Sequence, residues 1–224
     1  MELFDSLSLE QQAVINKHLE LVMEANKTTN LTKIDTFEEA LLLHVEDSLT
    51  GLKELEEAPV GLFGDLGSGA GYPGIPLSVA TGRQTVLIDS RQKKMKILDG
   101  IIREIELSHQ IETYAGRAEL LARTQAEAFS ALTARALAKL SVLMELASPL
   151  LRKGGHLICY KANLESSEYE HARGTQKATG LKIHSEREFK LGGVYSRKII
   201  VFEKYATPEV KLPRLEGQAQ KNPL

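Results

Sequence analysis

Two amphipathic patterns occupy the first quarter of the chain. Ser8 followed by Gln11 is a capping box, in which two side chains satisfy free backbone N–H groups at the start of a helix. The apolar stripe that follows at helical spacing consists of Ile15, Leu19 and Val22. Thr36 with Glu39 repeats the capping signal after a polar loop. The pattern predicts helices over about 8–25 and 36–52, within an N-terminal helical element spanning residues 1–58.

From residue 59 onward, short apolar runs alternate with helical segments. The runs that predict strands are 60–65, 85–88, 111–115, 129–134, 157–160, 182–189 and 196–204. Helices are predicted after a cap at Ser90, over 140–151, and over 164–179 with Gly180 as the C-cap. This alternation favours an α/β domain over residues 59–206, with a mostly parallel sheet and an antiparallel last pair of strands. Residues 207–224 form a C-terminal tail that is either flexible or tied onto the surface.

The composition fits a protein with one sizeable core and no internal disulfide. Of the 224 residues, 42% are hydrophobic, and no apolar run approaches the roughly 18 residues of a membrane-spanning helix. The first residues are acidic and polar, unlike a secretory signal peptide. The single cysteine, Cys159, lies in an apolar strand and is expected in the core. We therefore expect a cytoplasmic, reducing location and no membrane association.

The charged residues are unevenly distributed, although the net charge is only −2. Residues 1–65 hold 4 basic and 14 acidic side chains, whereas residues 66–224 hold 24 basic and 16 acidic ones. One interpretation is an acidic helical face beside an ordinary domain. The other is that the larger part of the chain faces an anionic partner. The charge distribution alone leaves both interpretations open.

A glycine-rich turn directly after the first predicted strand carries the clearest chemical signal. The turn reads Asp65-Leu66-Gly67-Ser68-Gly69-Ala70-Gly71. Ligands of open α/β sheets bind beyond the carboxyl ends of the strands, where glycines let a ligand approach the backbone. Asp89 ends the next strand, and a carboxylate there can accept hydrogen bonds from both ribose hydroxyls of an adenosine. We expect Asp65, Gly67, Gly69, Gly71 and Asp89 to contact a cofactor.

Three interpretations of this turn compete: a structural tight turn, a dinucleotide site and an S-adenosylmethionine site. The segment from Gly69 to Gly74 satisfies the dinucleotide pattern G-x-G-x-x-G, which is weak by itself. Pro73 and Pro76 remove backbone N–H groups that a pyrophosphate would need at the start of the helix. S-Adenosylmethionine has no phosphate, and a carboxylate such as Asp65 can meet its ammonium group. These features favour S-adenosylmethionine as the cofactor.

Six segments of the chain together point to one known family. They are Asn30-Leu31-Thr32, His44 through Leu49, Asp65 through Pro76, Asp89-Ser90, Gly116 through Glu119, and Ala134-Arg135-Ala136. In these segments the chain resembles the RsmG (GidB) family of bacterial 16S rRNA guanine-N7 methyltransferases. The resemblance implies a class I, Rossmann-like fold with a mostly parallel seven-stranded sheet behind the helical element. The chain departs from the family pattern at Ala162, Leu212 and Ala219, which bears on RNA contact and not on the cofactor site.

The resemblance also implies where the cofactor and the substrate bind. The implied cofactor contacts are Gly67, Tyr72, Ala118, Glu119 and Arg135. The implied substrate is a guanine in the decoding-region loop of 16S rRNA, presented by the rRNA or by the small ribosomal subunit. Arg135 lies in an otherwise apolar run at a strand end, so it is a candidate for contacting the cofactor or positioning the guanine. We expect a monomeric enzyme.

Methyl transfer to guanine N7 needs no acid–base residue. N7 carries an in-plane lone pair and no proton, so transfer requires only that N7, methyl and sulfur align with water excluded. We therefore expect neither an obligatory catalytic residue nor a metal ion. No [DN]-P-P-[YFW] motif, typical of methylation at exocyclic amines, is present. A small-molecule methyltransferase and a non-catalytic ribosome-associated factor on the same fold remain as alternatives.

Basic side chains near the predicted strand ends are candidates, as a group, for contacts with RNA phosphates. They are Arg91, Lys93, Lys94, Lys96, Lys161, Arg197 and Lys198, with Lys211, Arg214 and Lys221 in the tail. For any single one of them, a solvated surface charge is the alternative. His44 and Asp47 share one helical face and have two open interpretations. They either anchor the helical element on the domain or belong to a lid over the active site.

Overall fold

The chain begins with helices, as its capping signals predict. In the computed structural model, which describes residues 2–224, α1 spans Glu2–Asp5 and α2 spans Leu9–Thr29. The capping box is present, with both reciprocal hydrogen bonds between Ser8 and Gln11. Helix α2 extends beyond the predicted end at residue 25. Asn30 ends it in the left-handed conformation at φ 49°, as an asparagine at a helix C-terminus often does.

The second predicted helix is broken into shorter pieces. Thr36 caps it as predicted, and the pieces are α3 (Phe37–Ala40), a π-helix (Leu41–Glu46), α4 (Asp47–Leu49) and α5 (Leu52–Glu57). The break before α5 falls at Gly51, where a Cβ atom would lie 2.0 Å from the Tyr160 hydroxyl. A side chain at this position is therefore excluded by close packing on the sheet. The π-helix was not predicted, because no sequence signal distinguishes it from an α-helical turn.

The seven predicted strands are all present, and they form one sheet. The strands are β1 (Phe63–Leu66), β2 (Thr85–Ile88), β3 (Ile111–Tyr114), β4 (Phe129–Arg135), β5 (Leu151–Lys161), β6 (Leu181–Leu191) and β7 (Tyr195–Lys204). Their order is β3-β2-β1-β4-β5-β7-β6. Strands β1 to β5 pair in parallel, and β7 runs antiparallel to both β5 and β6. This confirms the predicted Rossmann-like α/β fold. The strand order reverses between β1 and β4, where ligands of such sheets bind.

The remaining helices cover the two faces of the sheet. They are α6 (Gly74–Thr81), α7 (Gln92–Glu104), α8 (Ala118–Thr124), α9 (Leu140–Ala147), α10 (Ser166–Gly174), α11 (Gln176–Thr179) and α12 (Gln218–Lys221). Two predicted details are wrong. The position before α7 is Arg91, which makes no side-chain cap, so Ser90 is not the cap. The helix predicted over 140–151 ends at Ala147 instead, and strand β5 already begins at Leu151.

The helical element packs directly on the glycine turn. Ile15, Leu19 and Val22 of α2 share one buried apolar cluster with Ala70 and Tyr72 of the turn. The predicted stripe of α2 therefore faces the ligand-binding edge of the sheet. Within residues 2–224, no helix has both the length and the apolar character to cross a membrane. The division of the chain at residues 58 and 206 remains a prediction.

Candidate functional site

A cavity of about 260 Å³ opens beyond the carboxyl ends of β1, β2 and β3. Its lining residues are Leu66, Gly67, Ile88, Asp89, Ser90, Arg91, Gly116, Arg117, Ala118, Glu119, Leu137, Leu146 and Gln220. Four of the nine residues predicted to contact the cofactor are among them: Gly67, Asp89, Ala118 and Glu119. The cavity lies where the switch in strand order places a ligand site. We call it the first cavity.

The glycine turn shapes one wall of the first cavity. Gly67 has φ +73°, and a Cβ atom there would lie 2.7 Å from Cδ1 of Leu137. Only glycine combines this conformation with so close an approach. Gly69 does not line the cavity, but its N–H donates to Oδ2 of Asp89 at 3.2 Å. The turn therefore holds a carboxylate that lines the cavity.

Asp89 supplies the acceptors that an adenosine ribose requires. Its Oδ1 accepts from the backbone N–H and Nε of Arg91, at 2.8 and 3.2 Å. Its Oδ2 accepts from Arg91 Nη2 and from the N–H of Gly69, both at 3.2 Å. The Arg91 side chain is 58% exposed, so its guanidinium can leave without opening the core. Ribose hydroxyls would take its place, and the site therefore fits the adenosine half of S-adenosylmethionine.

Asp65, predicted to contact the cofactor, does not line the first cavity. It is fully buried, and its Oδ1 accepts from Thr133 Oγ1 at 2.8 Å while Oδ2 accepts from the N–H of Gly74 at 3.0 Å. Burial raises the pKa of this carboxyl group to about 6. Both oxygens are therefore used to hold the start of α6 against β4. A direct contact between Asp65 and the ammonium of the cofactor has no support in this geometry.

Gly71 and Tyr72, also predicted to contact the cofactor, belong to a buried aromatic cluster instead. A Cβ atom at Gly71 would lie 3.0 Å from Nε2 of His18. The Tyr72 ring stacks on His44 and tilts against His18, with ring centroids 4.7 Å apart in both pairs. Burial lowers the pKa of His18 to about 4 and that of His44 to about 3, so both imidazoles are neutral near pH 7. His44 of this cluster also lines a second cavity.

The second cavity has a volume of about 580 Å³. Its lining residues are Ile34, Leu43, His44, Asp47, Arg135, Ala136, Tyr160, Lys161, Ala162, Asn163 and Arg197. Asp47 lies between two arginines and accepts from Arg197 Nε at 2.8 Å and from Arg135 Nη1 at 3.0 Å. Arg135 also donates to the backbone oxygen of Leu43 and lies 5.8 Å above the Tyr72 ring.

These contacts settle where two of the candidate residues lie. Arg135 lines the second cavity and not the first, so a direct cofactor contact has no support in this geometry. Asp47 joins the helical element to β4 and β7 through the two arginines, which favours the anchoring interpretation for this residue. His44 makes a different contact, a 2.7 Å hydrogen bond between its Nε2 and Thr32 Oγ1. It also lines the second cavity beside Asp47.

The basic residues predicted to contact RNA divide into two groups. Lys93 and Lys96 are exposed on α7, and Arg91 and Lys94 line a groove beside Gly69. Arg91 also pairs with Asp89, and Lys211 and Lys221 in the tail are exposed like the first group. Four residues are held by carboxylates: Lys161 by Glu168, Arg197 by Asp47, Lys198 by Glu186 and Glu188, and Arg214 by Glu145. Contact with RNA phosphates stays a prediction for both groups, and in this second group each cation already has a carboxylate partner. The sequence could not show these partners, since each comes from a distant segment or a neighbouring strand.

Several lining residues were missed by the sequence analysis. They are Leu137, Leu146 and Gln220 in the first cavity, and Tyr160 and Asn163 in the second. Leu137 and Leu146 come after β4, and no local sequence signal indicates that the fold brings them to the first cavity. Tyr160 is the next-to-last residue of β5 and Asn163 follows the strand, so their position at the end of a parallel strand could have indicated them. Gln220 comes from the tail, for which the sequence offers no such signal.

The comparisons with known proteins agree with this geometry. A family model described as GidB, rRNA small subunit methyltransferase G, matches residues 11–199. The chain belongs to this family. A GidB-family relative, the ribosomal RNA small subunit methyltransferase G of Desulfitobacterium hafniense (strain Y51), is 35% identical over 222 residues, covering 97% of this chain and 91% of the relative. The protein of the same name from Lysinibacillus sphaericus (strain C3-41) is 33% identical over 222 residues, covering 97% and 93%.

Solved structures share the fold at low sequence identity. An O-methyltransferase from Bacillus cereus in complex with SAH is 18% identical, with a TM-score of 0.58, covering 84% of this chain and 90% of that one. A geranyl diphosphate methyltransferase in complex with SAM is 11% identical, with a TM-score of 0.57, covering 71% and 85%. These likenesses concern the fold alone. Family membership and the fold together identify a GidB-family, S-adenosylmethionine-dependent methyltransferase of small-subunit rRNA.

Proposed function

We propose that this GidB-family chain transfers a methyl group to N7 of a guanine in the decoding-region loop of 16S rRNA. The observation that carries the proposal is the second cavity, which offers cationic donors and no strong base among its described residues. Arg135, Arg197 and Lys161 line it, and its imidazole belongs to His44, whose pKa burial lowers to about 3. Such a site suits a nucleophile that needs no deprotonation.

Guanine N7 is a nucleophile of that kind. Its in-plane lone pair can attack directly, whereas an exocyclic amine or a hydroxyl gains from losing a proton to a nearby base. The bound cofactor supplies an electrophilic methyl group on a sulfonium and leaves as S-adenosylhomocysteine. What the chain must contribute is alignment and exclusion of water. The only carboxylate that lines the second cavity among the described residues, Asp47, is already engaged by both arginines.

The same cations fit the edge that guanine presents. Guanine carries O6 next to N7, and both are acceptors, which arginine recognises more often than other side chains do. We assign Arg135 to substrate positioning, with a donor directed at O6 while N7 faces the methyl group. The contact at Asp47 keeps both guanidinium groups oriented before the base arrives. Arg91, Lys93, Lys94 and Lys96 are proposed to bind flanking phosphates.

The wider setting follows from the same proposal. The chain is proposed to act as a monomer in the cytoplasm, on the rRNA or the small ribosomal subunit and without membrane association. We keep the division into a helical element (1–58), a cofactor-binding domain (59–206) and a tail (207–224) as part of this proposal.

The test is transfer of labelled methyl groups to small subunits that lack the modification, with naked 16S rRNA and free guanosine monophosphate in parallel. Reduction with borohydride followed by aniline cleaves RNA at N7-methylguanine, so strand cleavage at one decoding-loop guanine is the expected result. Label that resists this treatment would place the methyl group on another atom and defeat the proposal. Label in the free nucleotide alone would indicate a small-molecule enzyme.

Substitution of Arg135 separates substrate positioning from cofactor binding. Arg135→Met is expected to lower kcat/KM for the RNA by about 10- to 100-fold, the value of a charged hydrogen bond in the transition state. Affinity for S-adenosylhomocysteine should stay within about twofold of the wild type, because Arg135 lies outside the first cavity. Arg103→Met is the matched control, since Arg103 is exposed on α7 and pairs with Asp99. A large loss of cofactor affinity in Arg135→Met would return this residue to the cofactor site.

A further inference from the structure

The C-terminal segment closes one side of the first cavity. We call residues 212–224 the tail wall. The N–H of Gly217 donates to Oε1 of Glu119 at 2.7 Å, and Glu119 itself lines the cavity. Gln220 lines the same cavity from the tail wall, close to Leu146 of α9. The cavity is therefore built by the sheet edge on one side and by the end of the chain on the other.

The tail wall is held at several separate points. Arg214 donates from Nε and Nη2 to the two carboxylate oxygens of Glu145, at 2.6 and 2.5 Å. Ala219 is buried in the largest apolar cluster of the protein, together with residues of α8 and α9. The backbone oxygen of Leu224 lies 2.6 Å from Nε2 of His171. A terminal segment with this many anchors has a fixed position relative to the cavity.

Gln220 lines the same cavity as Asp89, the carboxylate that suits an adenosine ribose. Asp89 marks the ribose, and the loop at Gly116 through Glu119 after β3 forms the neighbouring wall. Gln220 belongs to this part of the cavity, because its segment hydrogen bonds Glu119. Its side chain is exposed, so it is available to a ligand. A carboxamide presents a donor beside an acceptor, which matches the N6–H donor and the ring-nitrogen acceptor of adenine.

We propose that Gln220 binds the adenine of S-adenosylmethionine and that the tail wall is a structural part of the cofactor site. The inference rests on the cofactor and on the first cavity. It does not depend on which RNA atom receives the methyl group, so it can fail while the proposed function stands. It also predicts that the cofactor and the tail wall stabilise each other, because the ligand adds a contact that fixes Gln220.

The first experiment measures binding of S-adenosylhomocysteine by calorimetry. Gln220→Leu keeps the size of the side chain and removes both hydrogen-bonding groups. It is expected to raise Kd by about 5- to 10-fold, the loss of one to two hydrogen bonds. Adenosine alone should lose affinity by a similar factor, since the contact is on the base. Gln125→Leu is the matched control, because Gln125 is exposed, lies outside the tail wall and does not line the cavity, so this variant should bind like the wild type. Equal affinity of Gln220→Leu and the wild type would overturn the proposal.

The second experiment tests the wall itself. Arg214→Gln removes the ion pair with Glu145 without touching a cavity residue, and faster amide hydrogen exchange is expected over residues 215–221. Its Kd for S-adenosylhomocysteine should rise by at least about threefold, and the ligand should slow tail exchange in the wild type. A released tail with unchanged cofactor affinity would show that the wall is not part of the site. Ligand binding that leaves wild-type tail exchange unchanged would overturn the proposal in the same way.

Discussion

Asp47 is the acceptor that two arginines of the second cavity share, so its removal tests how far this network supports the fold. Its side chain is 8% exposed, and those of Arg135 and Arg197 are 13% and 15% exposed. Asp47→Asn preserves the shape of the side chain. It removes the negative charge and turns an N–H₂ group toward a guanidinium. Two positive charges then share a largely buried site with one acceptor between them.

The magnitude follows from the contacts that are lost and kept. Each charge-assisted hydrogen bond contributes about 1.5–3 kcal/mol, and removing one partner of a buried ion pair costs about 3–5 kcal/mol. Both arginines keep another acceptor, the backbone oxygen of Leu43 for Arg135 and that of Ser196 for Arg197. We therefore expect Asp47→Asn to lower the free energy of unfolding by about 2–4 kcal/mol, at the lower end of the combined range.

Urea denaturation followed by far-UV circular dichroism measures this loss directly. Glu57→Gln is the matched control, because Glu57 pairs with Lys53 on an exposed helix face at 3.9 Å, with side chains 51% and 69% exposed. That variant should change the free energy of unfolding by no more than about 0.5 kcal/mol. The reasoning is refuted if Asp47→Asn is as stable as Glu57→Gln at both low and high salt.

Three further predictions concern single groups. Burial raises the pKa of Asp65 to about 6 from 3.8, so its contribution to stability is present below about pH 4 and lost as pH rises through about 6. In Asp65→Asn the urea midpoint should depend less on pH over this window. A pH dependence as steep as that of the wild type would contradict the assignment. Burial lowers the pKa of Lys204 to about 8 from 10.5, so stability should rise between about pH 8 and 10.5. Lys204→Met should lose that rise in the same assay, and a variant that keeps it would show another group titrating. Arg91→Ala should bind S-adenosylhomocysteine at least as tightly as the wild type in calorimetry, since it frees the acceptors of Asp89. Weaker binding would show that the guanidinium itself contacts the ligand.

The elements that the sequence predicted well are those specified by neighbouring residues. The cap of α2 depends on Ser8 and Gln11, which are three positions apart, and the glycine turn depends on adjacent residues. Strand alternation gave the α/β class for the same reason, because each strand shows its own apolar run. The break at Gly51 depends instead on Tyr160, whose hydroxyl occupies the space a side chain would need. No pattern near residue 51 contains that information.

The basic residues predicted to contact RNA show the same limit for charges. Lys198 is a candidate phosphate contact when only its own strand is considered. In the sheet, β6 pairs with β7 so that Glu188 lies opposite Lys198, and Glu186 lies on the same face. Opposite charges directly across a strand pair stabilise each other, so Lys198 is held at the sheet surface. Strand register therefore decides which lysines pair with a carboxylate on the neighbouring strand. Lys93 and Lys96, exposed on α7, have no such partner strand.

A single residue of strand length decides which acidic residue lines the first cavity. The sequence places Asp65 and Asp89 alike, each at the end of an apolar run. Strand β1 continues through Leu66, so Asp65 is still inside the sheet, with Leu87 and Thr133 as its neighbours on β2 and β4. Strand β2 ends at Ile88, and Asp89 is the first residue past its carboxyl end. Both side chains are buried, at 0% and 4% exposure, but Asp65 is enclosed between strands and a helix, whereas Asp89 lines the first cavity. Extending β2 by one residue would therefore place Asp89 inside the sheet as well, and the cavity would lose this acceptor.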